Sequence, residues 1–88
     1  MFLESIPGRV QELNRTLGEG DFTSLRKTAH GLAGAAGSLG FTTLTRLSRE
    51  IEISLSHEGI PPPAALVEDL VRELERTSSW IRERLASM

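Results

Sequence analysis

Eighty-eight residues with 12 acidic and 10 basic side chains, a net charge of −2 and no cysteine make one domain with a modest core. This composition excludes a disulfide framework and a thiolate metal site, and the mixed signs exclude a broad nucleic-acid or anionic-membrane surface. No apolar run approaches the roughly 20 residues that span a bilayer, and no basic-then-apolar leader stands at the N-terminus, so a cytoplasmic chain with a protein partner is expected.

Along the chain, Ile6, Val10, Leu13 and Leu17 recur at helical spacing, with Ser5 and Pro7 suited to start a first helix and Gly18 to end it. Phe2 and Leu3 precede any clear cap, as at a natural start or at a helix cut when a domain is excised from a larger protein. Gly18-Glu19-Gly20 makes a turn, and Asp21 is an N-cap for a second helix over residues 21–40. Phe22, Leu25, Ala29, Leu32, Ala36 and Leu39 form the stripe of that helix. Gly40 closes it in a left-handed conformation, with Phe41 folding back as the hydrophobic contact.

Thr42 or Thr43 then caps a third helix, whose stripe is Leu44, Leu47, Ile51 and Leu55 and whose end falls near Gly59. Arg46, Arg49, Glu50 and Glu52 lie outside that stripe or at its margins. Pro61-Pro62-Pro63 introduces a fourth helix carrying Val67, Leu70, Leu74, Ile81 and Leu85, with Thr77 and Ser78 as a weak middle. No segment alternates like a strand. Four amphipathic helices on short connections predict an all-α fold, an antiparallel up-down-up-down four-helix bundle.

At about 100° per residue, the stripe of the second helix centres roughly 130° from His30, which puts the imidazole in water. Gly34 and Gly37 share its face and Gly31 follows it, although each glycine inside a helix costs roughly 1 kcal/mol relative to alanine. A neutral imidazole is a good nucleophile toward phosphorus, and its reference pKa of about 6.5 leaves most of it unprotonated at pH 7. Arg26 and Lys27, one turn earlier, are placed to support a phosphoryl group, and the lack of bulk at Gly31, Ala33, Gly34 and Gly37 leaves access for a partner's active-site acid. Spacing alone also fits a merely solvated histidine among glycines that serve packing.

The segment Ala29-His30-Gly31-Leu32-Ala33-Gly34-Ala35-Ala36-Gly37-Ser38-Leu39-Gly40 resembles the signature of histidine-containing phosphotransfer (HPt) domains of bacterial two-component phosphorelays. His30, Leu32, Gly34 and Gly40 match the family pattern, and Leu44, Ser48 and Ile51-Glu52 are similar to its next helix. Phe2-Leu3-Glu4, Pro7 and Gly20-Asp21 resemble the family's lead-in, so the likeness covers about residues 2–60. Ala33 departs from it, standing where the family usually has a lysine.

The resemblance implies that His30 accepts a phosphoryl group on Nε2 from the aspartyl phosphate of a response-regulator receiver domain and passes it to another receiver. It implies no cofactor on this chain, Mg²⁺ being expected on the receiver, and no metal ligands here. Residues 1–88 are read as one domain, whole or excised from a larger hybrid sensor kinase, itself a further partner. The opposing reading is a helical docking module for receivers or other signalling domains that is never phosphorylated. Gly31 stands where a sensor kinase's dimerisation helix normally carries an acid after its histidine, and no glycine-rich nucleotide motif is present, so phosphorylation from ATP is not expected. His57 is read as complementing the end of the third helix, Trp80 as a bundle-edge packing residue, and Arg46 and Arg49 as a solvated face that extends the docking surface if helices two and three adjoin.

Overall fold

The computed structural model describes residues 2–56 and 64–87. They form four helices, α1 (Phe2–Glu19), α2 (Phe22–Leu39), α3 (Thr42–Leu55) and α4 (Ala64–Ala86), and no strand. His57, Gly59 and the proline triplet lie outside the described residues. The helices touch in a ring, α1 on α2, α2 on α3, α3 on α4 and α4 on α1, and the diagonal pairs do not meet. Leu13, Leu25, Leu32, Leu44, Ile51, Leu70 and Leu74 fill the centre.

The first helix begins earlier than Ser5 or Pro7. Phe2 and Leu3 pack against the core, which extends α1 back to Phe2 and leaves Pro7 inside the helix, where it has no N–H to donate. Ser5 Oγ donates to the Phe2 carbonyl at 2.7 Å and accepts from Arg9 Nε at 3.1 Å, tying that first turn together. The closing glycine is Gly20 rather than Gly18: its φ is 70°, and the Asp21 N–H reaches back to the Thr16 carbonyl at 2.9 Å.

In α2 both expected ends are present. Asp21 accepts from the Ser24 N–H at 3.2 Å, and Gly40, at φ 81°, lets the Phe41 N–H return to the Ala36 carbonyl at 2.9 Å. Leu25, Ala29, Leu32 and Ala36 are fully buried. The two outermost residues of the expected stripe are not, since Phe22 is 41% and Leu39 55% exposed at the helix ends.

Phe41, and neither Thr42 nor Thr43, occupies the N-cap of α3, with no side-chain cap bond. Its ring stacks on Phe2 with centroids 5.7 Å apart and meets Trp80 edge-on at 6.3 Å, so aromatic packing starts this helix where a threonine cap was expected. The helix stops at Leu55, short of Gly59, and Leu55 is only partly buried. In α4 burial runs through Val67, Leu70, Leu74, Thr77 and Ser78, and the expected apolar continuation fails at Leu85, which is 44% exposed. With 23 residues against the 14 of α3, α4 outruns its neighbour by about 13 Å at 1.5 Å per residue, leaving its last turns little to pack on.

Ser48 is fully buried on α3, and its hydroxyl has no hydrogen-bond partner among the described residues. Removing an unsatisfied buried hydroxyl removes its desolvation cost, so Ser48→Ala is expected to raise stability by about 1 kcal/mol, read as a higher urea midpoint at unchanged slope. The Ser24 hydrogen bonds hold the Asp21 carboxyl below its ordinary value. A carboxyl lowered on folding stabilises above its unfolded pKa, and that contribution is lost as pH falls through the folded value. Asp21→Asn is therefore expected to lower Tm at pH 7 and to weaken the acid dependence below about pH 4, measured by circular-dichroism melts.

Candidate functional site

His30 sits in the middle of α2 with its side chain 78% exposed. Its backbone is held from inside by Ala29 and Leu32, both fully buried, so the helix fixes the ring's origin while the ring stands in solvent. Across the seam, α3 brings Glu52 to it: Nδ1 lies 2.6 Å from Glu52 Oε2. Glu52 is the more sheltered partner, with a side chain 27% exposed. An ionised carboxylate only accepts, so this contact puts a proton on Nδ1, and the neutral ring then carries its lone pair on the outward Nε2.

Arg26 and Lys27 line the same open groove of about 520 Å³ as His30, Gly31 and Glu52, walled by Phe22 and Leu55. Their place follows from helical spacing: residues at i−4 and i−3 rise on the face of residue i. This leaves two cations beside the imidazole in a groove open to solvent.

The small residues divide. Gly31, Gly34 and Gly37 are exposed, and a Cβ at Gly31 or Gly34 would meet nothing within 4 Å. A Cβ at Gly37 would make ordinary contact with Thr45, 3.8 Å from Oγ1. Ala33, expected beside them, is instead buried at 5% exposure and offers a partner no surface. At 100° per residue it turns about 60° from His30 toward Ala29 and Ala36, whereas Gly34 and Gly37 stay within about 40°. The position of the missing lysine is therefore a margin of the core.

Sequence reasoning passed over Glu52 as an imidazole partner, placing it only at the margin of α3. The sole signal was the Ile51-Glu52 pair within the resemblance; no spacing within one helix predicts a contact between two. His57 lies outside the described residues. Trp80 packs at the bundle edge as expected, half exposed, with the Arg84 guanidinium 4.9 Å from its ring centroid.

The sequence model of the Hpt domain matches residues 1–80. The chain belongs to the Hpt domain family. No curated protein and no solved structure matches it. Hpt domains work in phosphorelays, where they interact with receiver domains, and the four-helix all-α fold agrees with that membership. No helix among the described residues is long and apolar enough to cross a membrane.

The Glu52 contact makes a measurable prediction. In the wild type the neutral His30 ring is expected to carry its proton on Nδ1, and Glu52→Ala should shift the population toward the Nε2-protonated tautomer. The nitrogen chemical shifts of the imidazole report that ratio, and an unchanged ratio would show that Glu52 does not set it.

Proposed function

We propose that His30 is the phospho-acceptor of this Hpt domain, taking a phosphoryl group from a receiver's aspartyl phosphate and giving it to another receiver's aspartate. The observation that carries this reading is the 2.6 Å contact of Nδ1 with Glu52, which leaves Nε2 facing solvent as the nucleophile. In the forward step Nε2 donates its lone pair to phosphorus, the N–P bond forms, and the P–O bond to the aspartate breaks with its electron pair on the leaving carboxylate. The ring becomes an imidazolium carrying the phosphoryl group. Its Nδ1 proton stays in place toward Glu52, whose negative charge offsets the new positive charge, so no proton has to move.

Arg26 and Lys27 supply the charge-assisted contacts to the phosphoryl oxygens that the family's usual lysine would make from position 33. The Mg²⁺ and the acidic pocket belong to the receiver, which approaches over the open face of Gly31, Gly34 and Gly37. An up-down-up-down course of the helices is supported by the order of contacts: His30 meets Glu52 while Gly37 meets Thr45, so numbers rise along α2 as they fall along α3. The two-residue links Gly20-Asp21 and Gly40-Phe41 are short enough to join only antiparallel neighbours.

Incubation with a panel of phosphorylated receiver domains should produce acid-labile, base-stable phosphate on the chain. His30→Gln should abolish it with little change in Tm, because the residue is exposed and outside the core. Labelling of that variant at the wild-type level would remove His30 from the assignment, and an unlabelled wild type would favour a docking module. Gly34→Gln should gain about 1 kcal/mol of helix stability yet slow transfer about 10- to 100-fold by obstructing approach to Nε2. Equal transfer rates would mean that the glycine serves something other than access.

A further inference from the structure

A second groove of about 520 Å³ opens on the same α2–α3 seam, between Gly37 and Ile53, and is lined also by Thr45, Arg46, Arg49 and Glu50. It takes no part in the chemistry assigned to His30. Ile53 is 59% exposed, the largest exposure among the big apolar side chains described, and projects from the outer side of α3. Arg46 is paired with Glu50 at 3.1 Å, while Arg49 has no carboxylate partner among the described residues. An apolar trough with an unneutralised guanidinium on its edge fits an apolar side chain flanked by acid.

Distance decides what can cover it. Gly37 lies seven residues beyond His30, about 10 Å along the helix and within about 20° of the same face. A specific protein interface buries about 800 Å² on each partner, a patch roughly 28 Å across. A receiver seated over Nε2 therefore covers the second groove in the same encounter. Gly37, on the His30 face of α2, lines the trough without a side chain of its own, and a Cβ there would meet only Thr45.

The geometry points to this groove as the specificity site for the receiver: it takes an apolar side chain from the receiver's docking surface, and Arg49 pairs with a carboxylate beside that side chain. This inference rests on the receiver-docking reading of the same face and adds the chemistry by which one receiver is preferred over another. Catalytic support and partner choice then occupy separate places on one seam. Arg26 and Lys27 serve the phosphoryl group from α2, and Ile53 and Arg49 select the partner from the outer side of α3.

The test separates the two readings. Phosphoramidate, a small phosphodonor that needs no docking surface, is used to label His30 in the wild type, Ile53→Ala and Arg49→Glu. Each labelled protein is then offered to the receiver panel, and its rate of phosphoryl loss to the receivers is followed at low and high salt. Labelling by phosphoramidate should be equal in all three, since neither residue lies in the His30 groove. Transfer to the receiver preferred by the wild type should fall at least about tenfold in Arg49→Glu at low salt, with the gap narrowing as salt rises. Ile53→Ala should slow it several-fold with little salt dependence, and both variants should flatten the preference among receivers. Equal labelling with wild-type transfer rates and preferences in both variants would overturn the specificity site while leaving His30 as acceptor. Failure of labelled wild type to pass its phosphoryl group to any receiver would remove the docking reading and this inference with it.

Discussion

Everything at the candidate site depends on the packing of α2 against α3. Leu25, Ala29, Leu32 and Ala36 are buried without remainder, and that anchorage lets the opposite face of α2 carry three glycines around an exposed histidine. Three interior glycines cost the helix about 3 kcal/mol relative to alanine, more than an isolated helix of this length can bear. Burial of the apolar stripe offsets that cost at roughly 1.5 kcal/mol or more for each large side chain removed from water. The stability of α2 is thus tertiary, and its exposed face is free to be a poor helix former.

The same packing does a second thing that neither helix does alone. It brings Glu52 to Nδ1, which orients the ring and decides which nitrogen is free. The carboxylate is sheltered enough to hold a position and the imidazole exposed enough to be reached. Because the carboxylate comes from α3, the other side of the ring is left to solvent. Position 33 lies at the core margin, and Arg26 and Lys27 stand N-terminal to the histidine, on the side where the groove is walled by Phe22 and Leu55.

The far end of the molecule has a different task. Phe2, Phe41 and Trp80 tie α1, the α2–α3 connection and α4 together, with Arg9 and Arg84 lying against the outer rings. Phe41 is both the hydrophobic contact that closes α2 and the residue that starts α3, so it fixes the angle at which α3 leaves.

The sequence by itself determined four amphipathic helices, the caps at Asp21 and Gly40, the outward direction of His30 and the bare face around it. All of these depend on spacing within one helix or on the conformational needs of single residues, and such information is local. The tertiary structure alone decided that Glu52 meets His30, that Ala33 is buried while Gly34 is open, and that Phe22, Leu39 and Leu85 remain half exposed at helix ends. It also carried α1 back past Pro7 to Phe2, because core contacts outweighed the local signal for a later start. Periodicity gives the direction of a side chain from its own axis; what lies in that direction depends on the length, angle and register of the neighbouring helix, which no pattern within a single helix encodes.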